Sequence, residues 1–545
     1  MSRSVLLVVM PQRPAELQVG EAAANCTRFF VAFPYGCLTI ASYLKHHANG
    51  LETVEVLDLN LPSDETPEQV LEAKLWTREW DIIGFSMSYD SSYPWIRPLL
   101  DIVKYSAPSA IVVAGGPAVT TAYTEILAEY PEIDACCYSE GEIGLKTLVE
   151  ADDVLLALEA DPWVTRAKRS ARTVYEDLDK VVDIDYGMVD IDAYGMKEAF
   201  SPFMRARKEE PKQFFLVTSR GCPFQCVFCA EPSYHGAGMR YVSVDKVVDH
   251  VARLHESYGL NVLTIYDDQI LMNHARAKEI FRRLAPLDIR IEMPNGVTLS
   301  YIDEEMAHLM RAAGVDTLYL AIEHGSARVL KDVIKKPIAV KKIKPTIEIL
   351  HKAGIYCQGF FVIGLPGETR AERQETRDAI IDWGLDWATF NFATPLRGTE
   401  LYRVCKEKGW VDPKDIAFGS VTMTGYVIKA PGMDKAEIED FVLNVNLDVN
   451  FVHNRNMRVG NYDVAKSAFA EVVNRHPGQP FAHYFLGECQ SALGEDSSDS
   501  INRAMEIVER SEVWQRAFVR HGLVSPSTPI PFPTRRELID SHAAL

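Results

Sequence analysis

Cys222, Cys226 and Cys229 stand at the spacing C-x3-C-x2-C in the run Cys222-Pro223-Phe224-Gln225-Cys226-Val227-Phe228-Cys229. Three thiolates on one short loop can hold three corners of a [4Fe–4S] cube, whose full ligation takes four cysteines. The fourth iron is then open, and an open iron chelates a small molecule that carries both an amine and a carboxylate. Structural zinc is the competing reading, but it takes four closed ligands, in paired C-x2-C style. No second pair lies nearby, and His235 is the close fourth candidate. Three inert core cysteines would not account for this spacing after the strand-like run Phe214-Phe215-Leu216-Val217-Thr218, nor for Phe228 just before the last cysteine. The residues favour the cluster, with Cys222, Cys226 and Cys229 as its iron ligands.

Such a loop needs a rigid scaffold. Strands are expected at 214–218, 262–266, 290–293, 317–322, 356–363 and 388–393, separated by amphipathic helices such as 245–258 and 303–313. Six βα units predict an open partial barrel with its chemistry at the carboxyl ends of the strands, as in full barrels. The cysteine motif resembles that of the radical S-adenosylmethionine (SAM) enzymes, which implies a [4Fe–4S] cluster with SAM on its open iron. The strand ends carry groups that suit SAM, and Phe228 inside the motif is counted with them. Asp267 and Asp268 can accept from the methionine amine, and Asn295 and Glu323 can take ribose hydroxyls or the amine. Gly359 with Gly364-Leu365-Pro366-Gly367-Glu368 offers a flat backbone edge for adenine. A helix N-cap is an equally simple account of Asp267 alone.

Residues 1–150 alternate strands (4–10, 54–60, 81–87, 110–114, 134–138) with amphipathic stretches such as 38–46 and 95–105. That alternation predicts a doubly wound parallel sheet, which binds ligands at the carboxyl ends of its strands. Those ends carry Ser86 and Ser88, Gly115-Gly116, and Glu140-Gly141-Glu142. Glycines there let backbone approach a bulky ligand; tight turns are the plainer account. Together with Phe33-Pro34-Tyr35-Gly36 before the helix Ile40-Ala41-Ser42-Tyr43-Leu44, the set resembles the cobalamin-binding domain that precedes many radical SAM cores. The resemblance implies cobalamin against Ser86, Ser88, Gly115, Gly116, Glu140 and Gly141. One departure matters. Methionine synthase and the mutases carry Asp-x-His-x-x-Gly, whose histidine ligates cobalt, whereas this chain has Met10-Pro11-Gln12-Arg13-Pro14. His46 and His47 fall on an expected helix as solvated residues. The lower axial site is therefore expected to lack a protein imidazole.

The fold expected is α/β: a Rossmann-like cobalamin-binding domain at 1–150, a linker at 151–210, a (βα)6 radical SAM core at 211–410 and a helical C-terminal domain at 411–545. The linker should hold a helix at 152–160 and then an acidic, aromatic run, Val181-Val182-Asp183-Ile184-Asp185-Tyr186, wrapping between domains. After Trp410-Val411-Asp412-Pro413 the alternation stops, and 434–452 is amphipathic. Tyr462, Ala465, Phe469, Pro477, Ala482 and Leu486-Gly487 resemble one tetratricopeptide repeat. An independent solenoid takes three or more, so a helical cap on the enzyme is favoured over a partner-binding scaffold. The stretch 525–535, with four prolines, reads as extended.

A net charge of −19 argues against nucleic acid and anionic membrane as partners. No apolar run reaches bilayer-spanning length. The ten cysteines are scattered apart from the triad and Cys136-Cys137, as in a reducing cytoplasm. Arg205, Arg207, Lys335, Lys336 and Arg397 could meet a phosphate, with solvated surface charge as the simpler account.

Ile265-Tyr266-Asp267-Asp268 and Phe361-Val362-Ile363-Gly364-Leu365-Pro366-Gly367-Glu368 resemble the cobalamin-dependent radical SAM methyltransferases. That family implies reductive SAM cleavage to a deoxyadenosyl radical, hydrogen abstraction from a small-molecule substrate and methyl transfer from methylcobalamin, with electrons from a flavodoxin- or ferredoxin-type donor. Its members methylate unactivated carbon, or occasionally phosphinate phosphorus. The region 444–456 and the barrel segments resemble the phosphonate and phosphinate methylases. Oxidative ring closure, as in the anaerobic magnesium-protoporphyrin ester cyclase, is the rival reaction. A non-catalytic cobalamin sensor or adaptor is the remote alternative, against which the intact triad argues.

Overall fold

A computed structural model describes residues 2–12, 33–194, 211–417 and 425–523. These fall into two compact units, one within 1–197, 212–270 and 395–422, the other within 271–394 and 423–545. The division crosses the second βα series: its first two strands lie in the first unit.

In the first unit, β1 (Arg3–Val9) is buried along its whole length, as a central strand must be. β1 pairs in parallel with β2 (Leu51–Asp58) on one side and β3 (Ile82–Ser86) on the other. β4 (Ile111–Gly115) and β5 (Ala135–Cys137) continue the sheet, and a short antiparallel β6 (Trp163–Val164) closes it. The order is β2-β1-β3-β4-β5-β6, which reverses direction between β1 and β3, the switch point where such sheets bind ligands. Successive side chains of β1 point to opposite faces. Leu6 and Val8 join the core under α2 (Pro67–Leu75), α3 (Ile96–Ser106) and α4 (Pro117–Glu129). Val5, Leu7 and Val9 join the opposite core under α1 (Tyr35–His47) and α5 (Glu142–Glu150). All five expected strands are present, with ends displaced by one to three residues; β6 is additional.

The linker is threaded into this unit by aromatic rings. Phe33 stacks on Phe215 at 4.9 Å and meets Tyr186 and Tyr194 at 5.9 and 5.4 Å. Tyr186 Oη donates to the Phe215 carbonyl (2.9 Å) and Tyr194 Oη to Asp58 (3.0 Å). β7 (Gln213–Leu216) follows and pairs in parallel with β10 (Val262–Ile265). Between them lie a two-residue hairpin, β8 (Ser219–Arg220) with β9 (Arg240–Tyr241), and α6 (Val244–Tyr258).

The second unit continues with α7 (His274–Leu284), β11 (Arg290–Glu292), α8 (Glu304–Ala312), β12 (Thr317–Glu323), α9 (Ile343–Lys352), β13 (Tyr356–Ile363), α10 (Arg370–Trp383) and β14 (Trp387–Phe392). β12, β13 and β14 are parallel neighbours. All six expected strands of this series are therefore present, and the fold class is α/β as expected.

Beyond it, α11 (Lys435–Leu447) runs into a π-helical turn, Asp448–Val452. α12 (Tyr462–Arg475), α13 (Pro480–Ala492), α14 (Ser498–Glu509) and α15 (Glu512–Arg520) share a core of Phe451, Phe469, Phe481, Phe485, Trp514 and Phe518. Trp387 of β14 packs against that core. The Asn450 amide accepts from Ala388 N–H and donates to the Ala388 carbonyl, each at 2.8 Å. The proline-rich stretch 525–535 lies outside the described residues.

Asp448 anchors this region. Burial raises its carboxyl, but His521 at 3.5 Å and Arg377 at 2.5 Å outweigh that and lower it to about 2. A depressed folded-state value adds stability that is whole above the ordinary aspartate range, about pH 4, and is lost as pH falls towards about 2. Urea midpoints between pH 5 and pH 2.5 should therefore fall less steeply for Asp448→Asn than for the wild type. Parallel curves would mean that Asp448 carries none of the acid sensitivity.

Candidate functional site

The cysteines sit on a loop closed at its neck. Arg220 faces Arg240 and Ser219 faces Tyr241 in the β8/β9 pair, Val242 N–H donates to the Thr218 carbonyl (2.9 Å) and Cys222 N–H to the Gly236 carbonyl (3.2 Å). Gly221 has φ +94°, and a Cβ there would lie 2.3 Å from the Gly238 carbonyl oxygen. Only glycine fits such a turn. Asp267, just past β10, braces the neck: Oδ1 accepts from Thr218 N–H (2.5 Å), and Oδ2 from Thr218 Oγ1 (2.6 Å) and Ser219 Oγ (2.5 Å). It is not the N-cap of the next helix; Asn273 is.

Within the loop Cys222 is buried, and Cys226 and Cys229 are half-buried. Cys229 N–H donates to the Cys226 carbonyl (3.0 Å). Burial, with Cys226 and Cys222 adding to it, pushes the Cys229 thiol up to about 12. Three sulfurs in one field can be thiolates together only around a cationic partner. Among the described residues, His351, Cys357 and Asp386 also form a compact group, with donor atoms mutually within 4.8 Å. Asp386 is already taken up by His351, Cys357 N–H, Arg455 and Asn456.

Beside the loop, Glu231 faces Asp268. Burial and then the Asp268 charge push the Glu231 carboxyl up to about 9, and burial likewise raises Asp268. Glu231 Oε1 is buried with no hydrogen-bond partner. Two carboxyls pressed together with an unmet acceptor form a place for a cation such as an ammonium group. Glu231 was not singled out from the sequence, although it follows the last cysteine by two positions.

At the carboxyl ends of the first sheet, Ser86 and Gly115 are cross-strand neighbours. Ser88 is exposed two residues beyond. Gly116 turns the chain at φ +105°, where a Cβ would lie 2.6 Å from the Met87 carbonyl oxygen. A Cβ on Gly115 would meet nothing nearer than Cys137 Cβ at 3.5 Å, so Ser86 and Gly115 form an uncrowded ledge against which a flat ligand fits. Two of the expected residues have protein contacts of their own. A Cβ on Gly141 would lie 2.9 Å from Ile40 Cδ1. Glu140 is held by several side chains. Its Oε1 accepts from His235 Nδ1 (2.9 Å) and Arg240, its Oε2 accepts from Arg240 (3.1 Å), and Arg220 is ion-paired with Oε2 at 3.0 Å. Burial would raise its carboxyl, yet His235, Arg220 and Arg240 hold it down to about 2.

Asn295, Glu323, Lys336 and Gly364 lie in the second unit. Asn295 is exposed on the turn after β11. Glu323, ending β12 with the rare φ of +72°, accepts from buried Lys336 Nζ at 2.7 Å. Lys336 is thereby committed and is not a surface charge. Gly364 has protein contacts on both sides of its peptide unit. Its N–H goes to Glu368 (2.6 Å), its carbonyl takes Tyr426 Oη (2.8 Å), and the Tyr426 ring fills the space of a Cβ at 2.5 Å. Arg397 pairs with Glu125 at 2.7 Å. Phe228 is half-buried in the cysteine loop, and Arg205 and Arg207 lie outside the described residues.

The B12 binding domain family matches residues 24–149 and the radical SAM superfamily residues 216–380. An uncharacterized methyltransferase of Pyrococcus horikoshii is 30% identical over 59% of this chain and 68% of its own. The cytidylyl-2-hydroxyethylphosphonate methyltransferase of Streptomyces wedmorensis is 28% identical over 68% of this chain and 75% of its own. The anaerobic magnesium-protoporphyrin IX monomethyl ester cyclase of Rubrivivax gelatinosus is 28% identical over 78% and 74%. The fold is also that of the cobalamin-dependent SAM radical enzyme OxsB, solved with aqua-cobalamin and SAM bound; the TM-score is 0.64 at 14% identity, covering 100% of this chain and 83% of that one. The cofactors are accordingly a [4Fe–4S] cluster, SAM and cobalamin. No helix among the described residues is long and apolar enough to cross a membrane.

Proposed function

Because the chain belongs to the cobalamin-dependent radical SAM methyltransferases, we propose that it methylates an unactivated carbon, or a phosphinate phosphorus, of a small molecule. The observation that carries this reading is that the cysteine loop and the Ser86–Gly115 ledge belong to one compact unit. When bound, the cofactors supply one-electron cleavage of SAM and a transferable methyl group. A carbon without a lone pair cannot attack an electrophilic methyl, which is why both are needed.

In this reading, Cys222, Cys226 and Cys229 hold three irons, and the Asp267 brace keeps their loop closed against β7. Glu231 and Asp268 take the ammonium group of SAM, whose positive charge allows both carboxyls to ionise. Within the second unit, Asn295 and Glu323 have the chemistry for ribose hydroxyls, and Lys336 fixes the Glu323 carboxylate. Ser86, Ser88, Gly115 and Gly116 would line the face that holds cobalamin. The domain plan 1–150, 151–210, 211–410 and 411–545 assigns these roles in order. The likeness to the phosphonate methylase makes a nucleotide-activated phosphonate the first substrate class to assay. A flavodoxin- or ferredoxin-type protein supplies electrons.

The test uses methyl-labelled SAM, a reductant and candidate phosphonates. Labelled product should appear with S-adenosylhomocysteine and 5′-deoxyadenosine in about equal amounts, since methyl supply and radical generation would each consume one SAM. Deoxyadenosine with an oxidised, unmethylated product would instead favour ring closure, the reaction named for the Rubrivivax relative.

A further inference from the structure

We propose that Glu140 is a positioning residue for methyl transfer, a rivet that fixes the cobalamin-facing strand ends of the first sheet to the hairpin carrying the cluster cysteines. The inference rests on the methyltransferase reading. Glu140 follows the carboxyl end of β5 by three residues and its side chain is 3% exposed. Its partners Arg220 and Arg240 are directly opposed across β8 and β9, so one carboxylate grips both strands at the neck of the cysteine loop. Arg220 stands two residues before Cys222. Glu142 Oε1 takes a further N–H of Arg220 at 2.8 Å, and Ser139 Oγ donates to the Tyr234 carbonyl inside the loop. Three of the four positions 139–142 in the β5–α5 turn region, Ser139, Glu140 and Glu142, thus reach the same loop.

Stability alone is a poor account of such a cluster. Buried ion networks are often no more stabilising than apolar packing of the same volume, whereas they fix register. Register matters here because transfer between two bound groups needs reacting atoms about 3–3.5 Å apart, and a displacement of about 1 Å can cost about 100-fold. Glu140 is hydrogen-bonded by His235 and twice by Arg240 and is ion-paired with Arg220, so its carboxylate is engaged within the protein. Its contribution is where it holds the loop.

The test compares full-length holoenzyme with Glu140→Gln, which keeps the shape and removes the charge, and with His235→Gln, which perturbs one contact. Deoxyadenosine formed per methylated product should rise about 10- to 100-fold in Glu140→Gln, and by less in His235→Gln. Independently of turnover, the reduced cluster speeds the electron-spin relaxation of cob(II)alamin with a steep dependence on their separation. That enhancement should be uniform in the wild type and heterogeneous in Glu140→Gln. An unchanged product ratio together with unchanged relaxation overturns the proposal. If Glu140→Gln fails to take up its cofactors, His235→Gln decides by the same two readouts. If the wild type makes no methylated product, the methyltransferase reading fails while the relaxation measurement still tests the rivet.

Discussion

Alanine at Cys222, Cys226 and Cys229 together abolishes SAM cleavage while cobalamin still binds. The two outcomes separate because the sites use different parts of the first unit. The sulfurs lie on the loop between β8 and β9, whereas the Ser86–Gly115 ledge belongs to β3 and β4, whose cores contain none of the three cysteines. Removing three thiols from a half-exposed loop deletes no side chain of those cores, so the variant should fold. Iron and acid-labile sulfide should fall from about four of each per chain to none, with loss of the broad visible absorbance of the cluster. Absorbance of bound cobalamin should remain. A triple variant that still produces deoxyadenosine would remove the cysteine loop from the chemistry, and a variant that loses cobalamin as well would show that the cluster helps to build the ledge.

Gly221→Ala should be nearly as severe although it removes nothing. The new methyl group would lie 2.3 Å from the Gly238 carbonyl oxygen, at a backbone φ of +94°. The obstacle is main chain in a hairpin tied at residues 218–222, so it cannot swing aside as a side-chain tip would. Overlap and left-handed strain together should cost about 2–4 kcal/mol locally, enough to open the neck and prevent cluster assembly. Gly238→Ala is the matched control: nothing lies within 4 Å of its Cβ position and its φ is ordinary. Iron content after anaerobic reconstitution should be near zero for the first variant and near wild-type for the second. Equal iron in both would show that the neck is not what shapes the cysteine loop.

Much of this was legible in the sequence where a period or spacing carries the signal. β12 and β13 run long enough to show their pattern, and the cysteine spacing points to its own chemistry. β6, β8 and β9 have two residues each, too few for any alternation, so the hairpin that closes the cysteine loop was invisible. Side-chain partners were hidden where they are distant in sequence. Glu140 stands at a strand end, as a ligand would, but Arg220 and Arg240 arrive 80 and 100 residues later. Gly364 sits in a glycine-rich turn, as an adenine edge would, but Tyr426 covers it from 62 residues downstream. The pairing of Lys336 with Glu323 was likewise hidden, because a run of lysines reads as surface until burial is known.

Asn450 bonds both ways to the main chain of Ala388, and this bears on how the helical region can be dispensed with. β14 is the last strand of β12-β13-β14, so one side of it has no strand neighbour within that sheet. An outermost strand with open N–H and C=O groups is a template on which another copy of the chain can add. The Asn450 amide plugs one repeat of that template, and Trp387 next to it is covered by the aromatic core of the helices. A shortened chain that stops before α11 would keep every cofactor candidate named above. It would also bare an adhesive margin, and its expected fate is self-association, not a smaller working enzyme.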